Sequence, residues 1–438
     1  MGKTRRVFSL QLNISNSHFV IWCEKGVRMK SYQVLKNRNF LWLFLSATTS
    51  KLGTSVFQVA LPLLVYELTR SPSLMALTFV LEITPQVLFS LMGGAFADRI
   101  SKRNILLLGE VISSVLIVII PLASLANSLE VWIVYVVAFC LSSVSAFYHP
   151  SFESVVPEIL KGENLIQGNS LFKLSETITT FIGPSIAGVL IAVIGIHNLL
   201  YLNFVTYLLS AIFIGFINEK YKSSSSNSSI ISSIKEGINY VLKTKKILIG
   251  TIFIFMVNLG YGAMESLFMF YLKDSLKLSS QYVGLIFSLQ TLGSFLAIYL
   301  ANKLNKMPRG NIIIIAGLII GIGQVALTMS QGIVILLIMC RIVIIGSVTI
   351  LSINWFTLRQ EVVPPSLLGR VISSTRMLAF LALPFGGMVS GIIAEYMDVA
   401  LIFTFAGVLT FILSLIGLKT ALFQRQQHVP REVTSKTD

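Results

Sequence analysis

The chain has 438 residues, of which 54% are hydrophobic and only 12% are charged, and its mean hydropathy is +0.81. Soluble proteins carry roughly 25% charged residues, so this composition argues against a large soluble enzyme. The net charge of +15 does not indicate nucleic-acid binding, because Lys and Arg occur in short clusters between apolar segments and not along one basic face.

Residues 1–39 are predicted to form a cytoplasmic N-terminal segment, and they lack the order of regions that a cleavable signal peptide has. Residues 24–27 can be encoded by a purine-rich stretch that resembles a translated ribosome-binding site. The native start is therefore either Met29, which makes the preceding residues a non-native extension, or Met1 followed by a disordered tail.

Long apolar segments follow one another along the chain, and each approaches the roughly 20 residues that a helix needs to cross a bilayer. They predict an all-α membrane protein with twelve transmembrane helices. We place these spans at 40–66, 73–97, 104–126, 129–150, 169–194, 198–217, 247–272, 281–302, 311–330, 333–356, 371–395 and 399–422.

The basic residues between the spans predict the orientation of the chain. One side of the predicted membrane carries 27 Lys and Arg residues, and the other carries only Arg70, Lys273 and Lys277. Because basic segments stay in the cytoplasm, we expect a multi-pass protein of the plasma or inner membrane with both termini cytoplasmic.

A serine-rich run at 223–229 separates the sixth and seventh spans. An amphipathic helix is predicted after it, with Ile234, Ile238, Val241 and Leu242 on one face, and we expect this helix to lie on the inner membrane surface beside anionic lipid. The chain then divides into an N-terminal bundle at 40–217, a cytoplasmic linker at 218–246, a C-terminal bundle at 247–422 and a cytoplasmic tail at 423–438.

The two predicted bundles repeat short motifs at matching places. Val-Val-Pro occurs at 155–157 after the fourth span and at 362–364 after the tenth, and glycine-proline runs occur at 183–188 and 384–387 in the fifth and eleventh spans. These repeats predict two pseudo-symmetric six-helix bundles that rock about a substrate path between them.

The run at 94–103 (GAFADRISKR) joins the second and third spans with a small residue, a carboxylate and three cations. It resembles the signature loop of the major facilitator superfamily, although Ser101 stands where the family usually has glycine. The fifth-span motif of Gly183, Pro184 and Gly188 resembles one associated with antiporters, with Ala187 in place of a second glycine. Residues 146–150 and 234–237 are similar to the branch that contains macrolide-efflux and siderophore-export proteins.

The resemblance implies the major facilitator fold and a gating loop formed by Gly94, Asp98, Arg99, Lys102 and Arg103. In the family this carboxylate pairs with cations of its own loop and with the start of the eleventh helix, which latches the cytoplasmic side. The three cations have an alternative role as anchors that set the topology. The motif of Gly183, Pro184 and Gly188 suits a helix bend between the halves, or simple small-residue packing.

Ionisable residues inside the spans are candidates for coupling, since each costs at least about 2.5–3.5 kcal/mol to insert at mid-bilayer. Glu82 and Lys51 lie near the middle of the second and first spans, and we expect them to face each other or a central cavity. They either exchange a proton during transport or form a static pair. Relatives often place an arginine linked to proton coupling near Leu141 in the fourth span, and this chain has none there.

Glu265 and Arg341 form a second candidate pair for proton or substrate coupling in the C-terminal half. For Glu265 the alternative is a solvated rim position, and Arg341 is expected to line the cavity or to pair with an acid. Three residues near the inner surface, Lys173, Glu176 and Arg376, are expected to snorkel toward lipid headgroups. Glu110 is expected to be shallow and structural.

The combined pattern favours a secondary active exporter of amphipathic small molecules such as macrolides, driven by a proton gradient through a largely apolar cavity. The alternatives are an importer, a metabolite or siderophore exporter, and a non-transporting sensor or scaffold. The four histidines are scattered and no hydrolase, zinc or phosphate-loop motif occurs, so we expect no enzyme, cofactor or metal. The expected partners are a small-molecule substrate and the bilayer, without nucleic acid, and the chain is expected to be a monomer.

Overall fold

The computed structural model describes residues 34–97, 101–218, 230–304 and 307–422. Twelve segments within this part are long and apolar enough to cross a membrane, which confirms the predicted fold class. The helices in chain order are α1 Arg38–Thr69, α2 Pro72–Ala97, α3 Lys102–Leu125, α4 Val131–Ile159, α5 Glu163–Ile194, α6 Ile196–Gly215, α7 Ile230–Lys243, α8 Lys245–Phe270, α9 Ser280–Leu289, α10 Leu292–Lys303, α11 Arg309–Thr328, α12 Val334–Val362, α13 Pro365–Ile393 and α14 Val399–Gly417.

Several helices differ from the predicted spans in length or continuity. The eighth span consists of two helices, α9 and α10, interrupted at Gln290 and Thr291, and α8 continues into a short π-helical turn at Tyr271–Ser275. The C-terminal ends of α4 and α12 extend well past their apolar segments. Hydrophobicity ends where the hydrocarbon layer ends, whereas backbone hydrogen bonding continues into polar sequence, so span prediction underestimates such helices.

The helices pack as two bundles with equivalent internal contacts. In the N-terminal half, α2 packs against α4, and α3 packs against α6. In the C-terminal half, α10 packs against α12, and α11 packs against α14, which are the same pairs shifted by six spans. The two pseudo-symmetric six-helix bundles are therefore present as the sequence repeats predict.

Glycines allow the two halves to approach each other closely. A Cβ on Gly188 of α5 would lie 2.5 Å from the carbonyl oxygen of Ser280 at the start of α9, and one on Gly391 of α13 would lie 2.5 Å from the Cβ of Ala76 in α2. The structure thus places Gly188 between the halves. Gly183 lies instead against Ser55 of α1, within its own half.

The hydrogen bonds described between the halves lie away from the linker. We call the end at which α6 ends and α8 begins the linker side, and the end at which α1 turns into α2 the far side. The Glu395 carboxylate accepts hydrogen bonds of 2.6 Å from the hydroxyls of both Ser71 and Ser73, and the Tyr66 hydroxyl donates to Asp274 at 3.0 Å. The halves are therefore joined on the far side.

The linker helix α7 packs on the C-terminal half. It packs against α13 and α8, Glu236 forms an ion pair with Arg370, and Val241 is buried in the apolar core of the C-terminal half. Gly237 makes this approach feasible, because a Cβ there would lie 2.5 Å from the carbonyl oxygen of Arg370. Of the predicted apolar face, Val241 is buried and Leu242 is exposed, so the position of this helix beside anionic lipid stays a prediction. The serine-rich run, the start at Met29 and the tail lie outside the described residues.

The contact between α5 and α9 gives a first prediction. Gly284→Ala would place a methyl group against the carbonyl oxygen of Pro184, where no flexible side chain can yield. We expect a loss of about 1–3 kcal/mol from this inter-half contact, as for other overpacked sites. The contact is measured by disulfide formation between cysteines at Ser185 and Ser288, whose hydroxyl oxygens are 2.8 Å apart.

The matched control is Gly215→Ala, because nothing lies within 4 Å of a Cβ at that position. Disulfide yield should fall in the Gly284 variant and stay at the parental level in the control. Equal yields in both would contradict the role of Gly284 in bringing the halves together.

Candidate functional site

A cavity of about 590 Å³ lies in the N-terminal half and is lined by residues of α1 to α6. Its aromatic lining consists of Phe57, Phe79, Tyr148, Phe152, Phe172 and Tyr207. Its titratable lining also includes Lys51, Glu82, Glu110, His149, Glu153, Lys173 and Glu176. The expectation of a cavity with few charges is therefore wrong, because ionisable residues that are sparse along each span converge when the six helices pack.

Lys51 lines this cavity, but its partner differs from the expected one. Its Nζ lies 3.3 Å from Oε1 of Glu176, and the Nζ of Lys173 lies 2.8 Å from Oε2 of the same carboxylate. Lys173 and Glu176 do not snorkel toward lipid, because their spacing of three residues places both on the face of α5 that meets α1. One carboxylate thus holds two cations, and that spacing was the signal in the sequence that could have indicated Glu176.

Glu82 lines the same cavity from α2. Its backbone carbonyl accepts a hydrogen bond from the Ser142 hydroxyl of α4, which attaches this turn of α2 to its neighbour. Among the described residues, its carboxyl group has no hydrogen-bond or ion-pair partner. Glu82 is therefore an acid that faces the cavity and has no cationic partner in the part of the chain that the structure describes.

Glu265 and Arg341 come together in the C-terminal half, outside this cavity. Arg341 is fully buried, and its guanidinium binds Glu265 with two contacts of 2.5 and 3.2 Å. Its Nε also donates to Gln290 at 2.8 Å, and the group lies 4.1 Å from the ring centre of Phe268. Gln290 lies where α9 and α10 are interrupted, and a lone glutamine in an apolar span was the signal for it.

The predicted gating loop is described only in part. Asp98 and Arg99 lie outside the described residues, and Gly94 lies near the end of α2. Lys102 forms an ion pair with Glu158 of α4, and Nη2 of Arg103 donates to the carbonyl oxygen of Gly215 at 2.7 Å. A cation at the C-terminus of a helix such as α6 is favourable, so both cations stabilise contacts within their own half.

Sequence reasoning missed Glu395 on the far side, because no pattern marks an acid in a short loop. Hydrogen bonds from the Ser71 and Ser73 hydroxyls hold the pKa of its carboxyl below the ordinary value of 4.5. The backbone N–H of Ser73, in the first turn of α2, also donates to it at 3.3 Å. An acid of one half thus caps a helix of the other half.

The pKa of Glu395 gives a prediction about pH. Because the pKa of Glu395 is lowered, its ionised carboxylate stabilises the far-side contact at pH values above about 4.5. This stabilisation is lost as the pH falls through the lowered pKa of the folded protein. We expect the distance between spin labels at Ala126 and Met329 to lengthen at acid pH. Glu395→Gln should lengthen it already at neutral pH, whereas Glu130→Gln, an exposed far-side control, should not. A distance that responds identically in the three proteins would refute the contact.

The buried pair in the C-terminal half predicts a loss of stability. Arg341→Met leaves Glu265 without a counter-charge and should lower the free energy of unfolding by about 3–5 kcal/mol. The double variant with Glu265→Gln should recover much of this loss. Arg309→Met removes the more exposed pair with Glu361 and should cost at most about 1 kcal/mol. Unfolding of the purified protein measures all three, and equal losses for the two single variants would contradict the assignment.

Comparison with known proteins identifies the family. The family model of the Major Facilitator Superfamily matches residues 43–382 and 264–438. Among solved structures, the nucleoside transporter NupG superimposes with a TM-score of 0.75 at 13% identity, covering 88% of this chain and 100% of that one. This likeness shows the fold alone.

Curated relatives align over most of the chain at low identity. The MFS-type transporter YfiS of Bacillus subtilis is 23% identical, with 87% of this chain and 93% of the relative covered. Macrolide efflux protein A of Streptococcus pyogenes is 22% identical, with 86% and 94% covered. The multidrug efflux pump Tap of Mycolicibacterium fortuitum is 23% identical, with 82% and 90% covered. The chain is thus a multi-pass membrane protein that belongs to the Major Facilitator Superfamily of transporters.

Proposed function

We propose that this transporter exports amphipathic small molecules, including macrolide-type drugs, and that exchange with protons drives it. The names of two relatives, a macrolide efflux protein and a multidrug efflux pump, support this substrate class. The cavity supports it as well, because six aromatic side chains line it beside its ionisable groups, which suits a molecule with both apolar and polar parts. Such a lining discriminates weakly between ligands that differ by a methylene, which changes binding by only about 1–3 kcal/mol.

The direction of transport follows from the predicted orientation. The basic residues place the linker side in the cytoplasm. The cavity lining extends toward that side as far as Glu153 and Asn169, and the halves are joined on the opposite side. The conformation is then one in which a substrate enters from the cytoplasm. Closing the linker side would involve the loop of Gly94, Asp98 and Arg99.

The coupling proposal rests on the position and surroundings of Glu82. Of the four residues that the sequence marked for coupling, Lys51 is bound to Glu176, and Arg341 is bound to Glu265. Glu82 alone of these four faces the cavity with a carboxyl group that has no partner among the described residues. A proton bound there neutralises the Glu82 carboxylate and is released when access changes sides, so that proton and substrate alternate.

The direct test measures macrolide accumulation and susceptibility in cells that express or lack the protein. Expression should lower the accumulation of erythromycin, and a protonophore should restore it. Increased accumulation would overturn export in favour of import. Accumulation that does not depend on expression, for a panel of amphipathic drugs, would overturn the substrate class.

The coupling residue is tested in proteoliposomes with an imposed pH gradient. Glu82→Gln keeps the size of the side chain but cannot exchange a proton, so erythromycin transport should lose its dependence on the gradient. Glu130→Gln is the control, because Glu130 is exposed outside the cavity and bonds only to Trp132 among the described residues. Normal gradient-driven transport by the Glu82 variant would eliminate Glu82 as the proton carrier.

A further inference from the structure

Glu110 of α3 is a buried acid that the proposed coupling does not use. The sequence suggested a structural residue at a shallow depth in the membrane. In the structure its side chain is only 2% exposed and lines the N-terminal cavity. Both carboxyl oxygens are buried and neither has a hydrogen bond of regular geometry to a described residue, although the hydroxyls of Ser50, Tyr148 and Ser210 lie near enough to stabilise its charge. Buried polar groups in native proteins usually have partners, so two orphaned oxygens on one carboxyl group require an explanation.

The groups around Glu110 are hydroxyls contributed by three other helices. Its polar neighbours are Ser50 of α1, Tyr148 of α4 and Ser210 of α6. The Tyr148 hydroxyl is itself buried and has no hydrogen-bond partner in the described part of the chain. The titratable groups that face Glu110 from the packed helices are Tyr148 and Tyr207 of α6, so its described surroundings contain no cationic side chain.

An ionised carboxylate in such surroundings carries a large desolvation cost unless a cation compensates for it. Hydroxyl oxygens have lone pairs as well as a proton, so those of Ser50 and Tyr148 can turn either toward a bound cation or toward the carboxylate. The Ser210 hydroxyl donates to the carbonyl oxygen of Ser46 at 3.1 Å, so it can offer only a lone pair to a cation. A carboxylate and several hydroxyls form the all-oxygen ligand set that hard cations prefer. The described surroundings of Glu110 contain no second carboxylate, so they carry too little negative charge for a divalent ion.

We propose that Glu110, with Ser50, Tyr148 and Ser210, forms a binding site for one monovalent cation, either a proton or Na⁺. Both cations neutralise the carboxylate in the same place. Occupancy favours the contact of α1, α3, α4 and α6 around it. The cation enters from the cavity, which Ser50, Glu110 and Tyr148 all line. The site is separate from Glu82 and does not depend on the identity of the transported molecule.

The test measures the melting temperature of the purified full-length protein in NaCl and in choline chloride at equal ionic strength, over a series of pH values. A cation that binds only the folded protein stabilises it in proportion to the logarithm of its concentration. If the ligand is Na⁺, the wild type melts higher in NaCl, and Glu110→Gln loses this gain. If it is the proton, NaCl has no effect, and the wild type loses stability relative to Glu110→Gln as the pH rises.

Glu130→Gln is the matched control, since it removes an exposed carboxyl group and should respond as the wild type does. Tyr148→Phe is the second variant in case Glu110→Gln does not fold, because it keeps the ring that packs against Gly109 and removes one oxygen. If the ligand is Na⁺, this variant should gain less stability from NaCl than the wild type does. If the ligand is the proton, its loss of stability with rising pH should continue to a higher pH. Identical responses to Na⁺ and pH in the wild type and in both site variants would overturn the site. Because no transport is measured, this failure is distinct from failure of the proposed export.

Discussion

Ionisable side chains inside a helical bundle need a partner, contact with water, or a bound cation, because their lost hydration is not otherwise compensated. The two halves meet this requirement differently. In the C-terminal half, Arg341 is fully buried and is matched by Glu265 and Gln290. In the N-terminal half, two lysines share Glu176, which leaves Glu82 and Glu110 without a cationic partner among the described residues. The binding and release of a cation that we propose therefore falls in the N-terminal half, whereas the C-terminal pair is expected to stabilise its bundle.

The two halves share an apolar core as well as polar contacts. One buried cluster includes Met75 of the N-terminal half and Phe268 and Ile286 of the C-terminal half. Between the halves, the far side is joined by close backbone approach at Gly188 and by the hydrogen bonds of Glu395 to Ser71 and Ser73. The linker helix α7 packs on the C-terminal half through its contacts with α13 and α8.

The fold was largely predictable because its main signals are local. Span number follows from apolar length, and the two-bundle plan follows from motifs that recur six spans apart. The motif of Gly183, Pro184 and Gly188 was predicted either to lie between the halves or to serve simple packing, and of its two glycines only Gly188 lies between them. The interruption of the eighth span at Gln290 was not predictable, because both pieces are apolar; at the break, the Gln290 side chain accepts a hydrogen bond from the buried Arg341. The packing of α7 on α13 and α8 was not predictable either, since an amphipathic pattern does not distinguish a lipid surface from a protein surface.

The candidate site shows where local information ends. Composition and order along the chain determined that Lys51, Glu82, Glu265 and Arg341 lie within the membrane, because bilayer thickness and helix rise convert sequence position into depth. Their partners were decided by tertiary packing. Lys51 binds Glu176 and not Glu82, and Glu110 lies among hydroxyls of three other helices, because lateral helix packing and rotation determine which side chains meet. Those quantities depend on long-range contacts that no single span encodes.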